Sequence, residues 1–284
     1  MPSVKAVMHG AVSIVNAIAT GKGATLGISL NVEALIEASE GTGVFFENKE
    51  SSLSSRLIKN VIKKAVPKNE LEKSKLKISL KSEIPSGYGL KSSSAISSVV
   101  SLACAKLFRP QTNDLEILRH GVEASIESKV SITGAFDDAC ACYFGGFVVT
   151  DNHNLKIVKS EKAPEDIAAA IFIPRSRKRG NVKKLKVLDK VFAQAWSLAS
   201  NSDYWNAMLL NGLATSAVLN SDPRILTDLM EAGALAASVS GNGPSIAAIA
   251  KKDSISNVKR VFSSHEGDTI ISDINNKKAE VYEV

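Results

Sequence analysis

Apolar and polar positions divide the chain into segments of two periodicities. In Thr25–Ile36 and Leu76–Leu80 the apolar residues alternate or cluster in short runs, which predicts strands. Between them Leu53, Leu57, Ile58, Val61 and Ile62 recur at helical spacing. The helical pattern returns from Ser92 to Phe108, in a stretch rich in Ala and Ser, and again over Asn113–Ser128. Phe144–Thr150 reads as a strand entered through Gly145-Gly146, and Ala168–Ile173 as a buried strand ended by Pro174. The last third changes character. Helices are predicted at Val187–Ala199, Tyr204–Leu219 and Pro223–Ala232, followed by a strand at Ala234–Val239. A tight turn, Ser240-Gly241-Asn242-Gly243-Pro244, leads into a strand at Ile246–Ala250, then a short helix and two terminal strands. Strands mixed with helices, without regular βαβ alternation, predict an α+β fold. The boundary between two lobes is placed near residue 160, giving an N-terminal lobe over 1–160 and a C-terminal lobe over 161–284.

Composition narrows the class. A chain of 284 residues suits two packed lobes, and 44% hydrophobic with 23% charged residues is ordinary for a soluble globular protein. No run of about 18 apolar residues predicts a membrane span, and the start of the chain lacks the regions of a signal peptide. Three cysteines, with Cys140 and Cys142 nearly adjacent, predict reduced core thiols in a cytoplasmic protein rather than a disulfide framework. The net charge of +6 suits a nucleic-acid binder or an enzyme for anionic substrates. Basic residues cluster at Arg175, Arg177, Lys178, Arg179, Lys183, Lys184 and Lys186. No aromatic residue interrupts that run, so it offers no stacking platform for nucleic acid; a solvated loop is the alternative. His9, His120, His153 and His265 are scattered without ligand spacing, and two thiols at Cys140 and Cys142 do not make a zinc site.

The strongest local signal is Pro85-Ser86-Gly87-Tyr88-Gly89-Leu90-Lys91-Ser92-Ser93-Ser94-Ala95, which follows a predicted strand and opens a predicted helix. Glycines admit close backbone approach, and the helix N-terminus offers unpaired N–H groups with partial positive charge. Three hydroxyls can cap the helix, donate to phosphate or ligate Mg²⁺, and Lys91 adds a full charge. The alternative is a glycine turn with a serine N-cap. Ala19-Thr20-Gly21-Lys22-Gly23 fails as a Walker loop at both ends, with Asn16 at the first glycine position and Gly23 where Ser or Thr should bind Mg²⁺.

Pro85 to Ser93 resembles the phosphate loop of the GHMP kinases, Pro-x-x-x-Gly-Leu-Gly-Ser-Ser, except at Lys91, where that superfamily usually has glycine. Ser240 to Ser245 resembles its C-terminal turn motif, and Thr133-Gly134-Ala135-Phe136-Asp137-Asp138 before Gly145-Gly146 resembles its acidic motif. Within the superfamily the nearest resemblance is to the archaeal-type shikimate kinases. It is carried by Gly10–Gly27, the Gly134–Ala139 string, Asn211-Gly212-Leu213 and Glu231-Ala232-Gly233-Ala234. The resemblance implies an N-terminal lobe like ribosomal S5 domain 2 that binds ATP, and a ferredoxin-like C-terminal lobe that completes the acceptor site. It also implies phosphorylation of a hydroxyl of shikimate by ATP and Mg²⁺; homoserine, mevalonate or a sugar is the alternative acceptor, and a non-catalytic binding protein a more distant one.

By the same resemblance Asp137 is the catalytic base or orients the acceptor, unless the Asp pair only caps the following helix. Ser93 and Glu127 would hold Mg²⁺, with Glu123 as a substitute for Glu127. On the acceptor side, Lys22 and Arg175 are the expected carboxylate partners, because a charge withdrawn from water must be paired. Asn16 and Thr20 are placed on ring hydroxyls, with Asp138, Ser240, Gly241 and Asn242 nearby. A small-molecule substrate is expected, with neither nucleic acid nor membrane as partner.

Overall fold

Two long strands, β1 (Ser3–Val15) and β2 (Lys22–Glu40), pair antiparallel and form the spine of the first lobe. The computed structural model describes residues 2–47, 54–178 and 180–284; Leu53 of the first helical repeat and Arg179 of the basic run lie outside them. Early in β1 burial alternates, as a strand covered on one face requires, whereas its last six residues, Gly10–Val15, are buried throughout. Because β2 is so long, its far edge serves two partners. Its outer half pairs with β4 (Ser74–Ser82) and its inner half with β5 (Phe147–Asp151), both antiparallel. Two edge strands, β3 (Gly43–Phe46) and β6 (Lys156–Glu161), complete this side. Their side chains alternate between half-buried and exposed, so hydrophobic patterning did not reveal them.

Helices α1 (Ser55–Ala65), α2 (Lys68–Lys73), α3 (Ser92–Phe108), α4 (Asp114–Glu127) and α5 (Phe136–Phe144) belong to the same lobe. Asn113, predicted as the first residue of α4, is its N-cap, with Oδ1 accepting the Glu116 N–H at 3.0 Å. The strand predicted over Phe144–Thr150 is corrected. Phe144 ends α5, and Gly145 stops it with φ 72° while donating its N–H to Ala141 O; β5 begins only at Phe147. Almost all of α3 is buried, since it lies between the β1–β2 spine and helices α1, α4 and α5. Its small Ala and Ser residues permit that close packing, and the buried hydroxyls of Ser97 and Ser101 are returned to backbone, Ser101 Oγ–H to Ile117 O at 2.8 Å.

Between Glu161 and Ile167 the chain passes to a second sheet, entirely antiparallel, in the order β10-β7-β9-β8 (Gly267–Asp273, Ile167–Pro174, Ile246–Lys251, Ala234–Val239). With helices α6 (Asp189–Ser200), α7 (Tyr204–Leu219), α8 (Arg224–Glu231) and α9 (Ile255–Val261), it is the ferredoxin-like lobe. A helix predicted from Val187 instead begins at Asp189, after a 3-10 turn over Val182–Leu188. The last strand, β11 (Glu280–Glu283), returns to the first sheet beside β1. The larger hydrophobic core runs through both lobes, taking Ala207, Met208 and Ile249 from the second together with Ile14 and Leu26 from the first. No helix among the described residues is long and apolar enough to cross a membrane.

Candidate active site

After β4 the chain reverses through residues 83–91, and Gly87, Gly89 and Lys91 all adopt positive φ, at 84°, 80° and 67°. That alternation brings the backbone round to the start of α3. The first intrahelical bond is Ala95 N–H to Lys91 O at 2.9 Å, so the amides of Ser92, Ser93 and Ser94 precede the hydrogen-bonded ladder. They form a ready anion seat. Ser92 and Ser94 are buried, whereas Ser93 is exposed.

The C-terminal turn seats directly on this loop. A Cβ on Gly89 would lie 2.0 Å from Ser240 O, so only glycine allows the approach. Ser240 Oγ–H donates to Gly89 O at 2.9 Å, and Ser245 Oγ–H to Tyr88 O at 2.5 Å. From β1, Ser13 Oγ accepts the Gly241 N–H at 2.9 Å. Just beyond, Asn16 Nδ2–H donates to Gly241 O at 2.7 Å, and the Asn16 N–H reaches Asn211 Oδ1 of α7 at 2.8 Å. Asn211 Nδ2–H in turn donates to Ser238 Oγ at 2.8 Å.

Across from the serines, the first turn of α5 carries Asp137 and Asp138. Asp137 is 3% exposed. Its Oδ1 accepts Asn152 Nδ2–H at 2.7 Å, and Oδ2 accepts Thr25 Oγ1–H at 3.4 Å. Burial first, and the charge of Asp138 second, push its carboxyl up to about 7, against the opposing pull of Lys91 and Asn152. Asp138 differs: its Oδ1 lies 2.9 Å from Lys91 Nζ, a charge contact without the alignment of a hydrogen bond. Burial raises the thiols of Cys140 and Cys142 far above their ordinary value, so neither is a nucleophile at neutral pH.

The glycine–serine loop, acid pair and C-terminal turn together line a cavity of about 250 Å³. Gly87, Gly89, Leu90, Lys91 and Ser92–Ser94 line it from the loop. Asp137 and Asp138 close the opposite wall, and Asn16, Gly241 and Asn242 line the interlobe side. Pro85, Ser86, Tyr88 and Ala95 shape the loop without lining the cavity; the Tyr88 hydroxyl accepts Arg177 Nε–H at 3.2 Å. Ser240 is likewise a structural member, fully buried against Gly89.

Five expected residues, counting Glu123 as the substitute for Glu127, are not gathered there. Glu127 lies at the end of α4 and ion-pairs with Lys64 at 2.6 Å, and Glu123 pairs with the same lysine at 3.2 Å. Thr20 is used in the β1–β2 turn, where its Oγ1 lies 3.2 Å from the Lys22 N–H and O. Lys22 places its ammonium 4.6 Å from the Trp196 ring. Arg175 is exposed at the end of β7, where its N–H bonds Glu266 O at 3.2 Å. The cavity thus gathers neither the expected Lys22–Arg175 carboxylate clamp nor the expected Ser93–Glu127 metal pair as a unit; among the described lining residues Lys91 is the one cation. Conversely, Ser13, Thr25, Asn152 and Asn211 were missed. A polar residue inside an apolar strand or helix carries no local sign that its partner lies, as for Ser13 and Gly241, 228 residues away.

A glycine–serine loop at a helix N-terminus, facing a carboxylate pair between an S5-like and a ferredoxin-like lobe, defines the class of GHMP small-molecule kinases. The family models agree: "GHMP kinases N terminal domain" matches residues 56–146 and "GHMP kinases C terminal" residues 204–268. The chain is 39% identical to a shikimate kinase from Methanosarcina mazei, over 96% of this chain and 95% of that one. It is 36% identical to a shikimate kinase from Methanobrevibacter smithii, over 94% and 95%. This chain belongs to the archaeal shikimate kinase family of the GHMP kinases. Among solved structures, a homoserine kinase from Cytophaga hutchinsonii has a TM-score of 0.76 at 19% identity, covering 99% of this chain and 97% of that one. The mevalonate kinase of Methanococcus jannaschii has a TM-score of 0.71 at 15% identity, covering 96% and 98%. At those identities the likeness is one of fold alone.

Proposed function

We propose that this chain transfers the γ-phosphoryl group of ATP to a hydroxyl of shikimate, giving shikimate 3-phosphate and ADP in the chorismate route to aromatic amino acids. The observation that carries this reading is the single cavity shared by the Ser92–Ser94 helix start and the Asp137–Asp138 pair, in a chain of the shikimate kinase family. The triphosphate is assigned to the loop and the α3 N-terminus, where backbone N–H groups and hydroxyls meet its charge. The acceptor is assigned to the interlobe side, with Asn16 and Asn242 as partners for ring hydroxyls.

Asp137 takes the proton of the attacking hydroxyl or holds that hydroxyl in line. A carboxyl pushed up to about 7 is matched to a base working near neutrality. Asp138, paired with Lys91 at 2.9 Å, stands beside the acceptor.

Among the described residues no cluster of three or more His, Cys, Asp or Glu could hold a metal on its own. The donor set fits a Mg²⁺ carried mainly by nucleotide phosphates and water, with the exposed Ser93 hydroxyl as its protein ligand. Such an ion would supply charge neutralisation for the transferring phosphates. Cys104, Cys140 and Cys142 are all buried and unpaired, which suits work in the reducing cytoplasm. Coupled ADP release over a panel of shikimate, homoserine, mevalonate and galactose tests the acceptor. Turnover confined to shikimate is expected, and turnover on another member with none on shikimate overturns the assignment.

A further inference from the structure

Lys91 sits in the glycine–serine loop, yet its side chain is already engaged by protein partners. Its backbone, at φ 67° and ψ 19°, occupies the left-handed region that glycine adopts freely and other residues adopt under strain. Its side chain, 5% exposed, turns away from solvent and spans three elements at once. The ammonium lies 2.9 Å from Asp138 Oδ1 on α5 and donates to Ser13 Oγ on β1 at 2.7 Å. It also packs against the C-terminal turn so closely that a Cβ on Gly241 would come within 2.9 Å of Nζ. Ser13 extends the junction, since the same Oγ accepts the Gly241 N–H at 2.9 Å and the Ser13 N–H donates to Ser240 Oγ at 3.2 Å. A charged donor this well buried and partnered holds its neighbours in place, and its charge is already balanced by Asp138.

We propose that Lys91 is a positioning residue for phosphoryl transfer, fastening the phosphate loop to the acid pair and the C-terminal turn, and that it is not a nucleotide-phosphate ligand. The three elements that must register within a fraction of an ångström come from β1, α5 and the turn after β8, and Lys91 touches all three. The inference rests on the kinase reading of the same cavity. It accounts for a lysine at a left-handed position, where the resemblance leads one to expect glycine.

The test compares Lys91→Gly, which suits the left-handed backbone, with Lys91→Met, which keeps the buried stem without the charge. Asp138→Asn and the Lys91→Gly/Asp138→Asn double variant are measured alongside, all in the full chain. Circular dichroism and melting establish that each is folded, so a misfolded Gly variant leaves the Met variant to decide. The expected result is a kcat roughly 10–100-fold lower, the scale of a misplaced reacting group. The KM for ATP should stay within about threefold of the parent, and the double variant should lose little more than the worse single variant. A KM for ATP raised about tenfold or more at unchanged kcat makes Lys91 a phosphate ligand and overturns the proposal. So does an unchanged kcat, or losses at Lys91 and Asp138 that multiply as independent sites do. A parent chain without shikimate turnover sinks the proposed acceptor instead, and the same ratios are then read with whichever acceptor the panel identifies.

Discussion

The carboxylate of Asp137 lies against the bare Cα of Gly23: a Cβ at that position would stand 2.2 Å from Oδ2 and 2.9 Å from the Asp137 Cβ. Gly23 is therefore the floor on which the acid rests, although nothing in its φ demands glycine. Gly23→Ala should push Asp137 out of its bonds to Asn152 and Thr25. Overpacking of this kind costs about 1–3 kcal/mol, and displacing a reacting group costs about 100-fold in kcat. Steady-state kinetics should show that loss with the KM for ATP nearly unchanged, and an alanine variant of full activity would show that Asp137 need not sit there.

The charge state of Asp137 links folding to pH with a definite sign. Its carboxyl is raised from an ordinary 3.8 to about 7 by burial and by Asp138, so the folded chain holds the proton more tightly than the unfolded one. The stability this contributes is fully present below 3.8 and is lost as pH rises through about 7. His9 and His120, both lowered chiefly by burial, act in the opposite sense, so the comparison must be between proteins that share them. The melting temperature of the parent should fall relative to that of Asp137→Asn as pH rises over this window, and strictly parallel curves would count against the shift. The kcat of the parent should rise through about 7 as the base deprotonates.

Much of the fold was legible because long helices and their punctuation are local. The bounds predicted for Ser92–Phe108 and Tyr204–Leu219 are those observed for α3 and α7. The phosphate loop and the Asp pair were legible too, as short strings with a chemical reason for each residue. Less legible was which cations would face the cavity. Lys22 and Arg175 are cations near the right elements in sequence, yet one turns onto Trp196 and the other stays in solvent. Side-chain direction follows from packing between lobes, which no spacing rule records. The short strands β3 and β6 were lost for a related reason, since a half-exposed edge strand carries little hydrophobic signal.

Asn211, fully buried in α7, is the fastening between the lobes on the acceptor side. Removing its amide strands the Asn16 N–H, which bonds Asn211 Oδ1 at 2.8 Å, and deprives Ser238 Oγ of a donor. An unsatisfied buried donor costs about 1–3 kcal/mol. Asn211→Ala should lower stability in urea unfolding by that amount and, because Asn16 is freed, raise the KM for shikimate more than that for ATP. Equal effects on both substrates would place Asn16 outside the acceptor site.

The most direct measurement follows the phosphoryl group itself. Parent and Asp137→Asn chains are supplied with γ-labelled ATP, Mg²⁺ and shikimate, and the products are separated and identified by mass. The parent should form ADP and phosphorylated shikimate in equal amounts. Asp137→Asn, still binding ATP, should transfer label roughly 10²–10⁴-fold more slowly. Label released as free phosphate by the parent, or transfer at parental rate by Asp137→Asn, would contradict this mechanism.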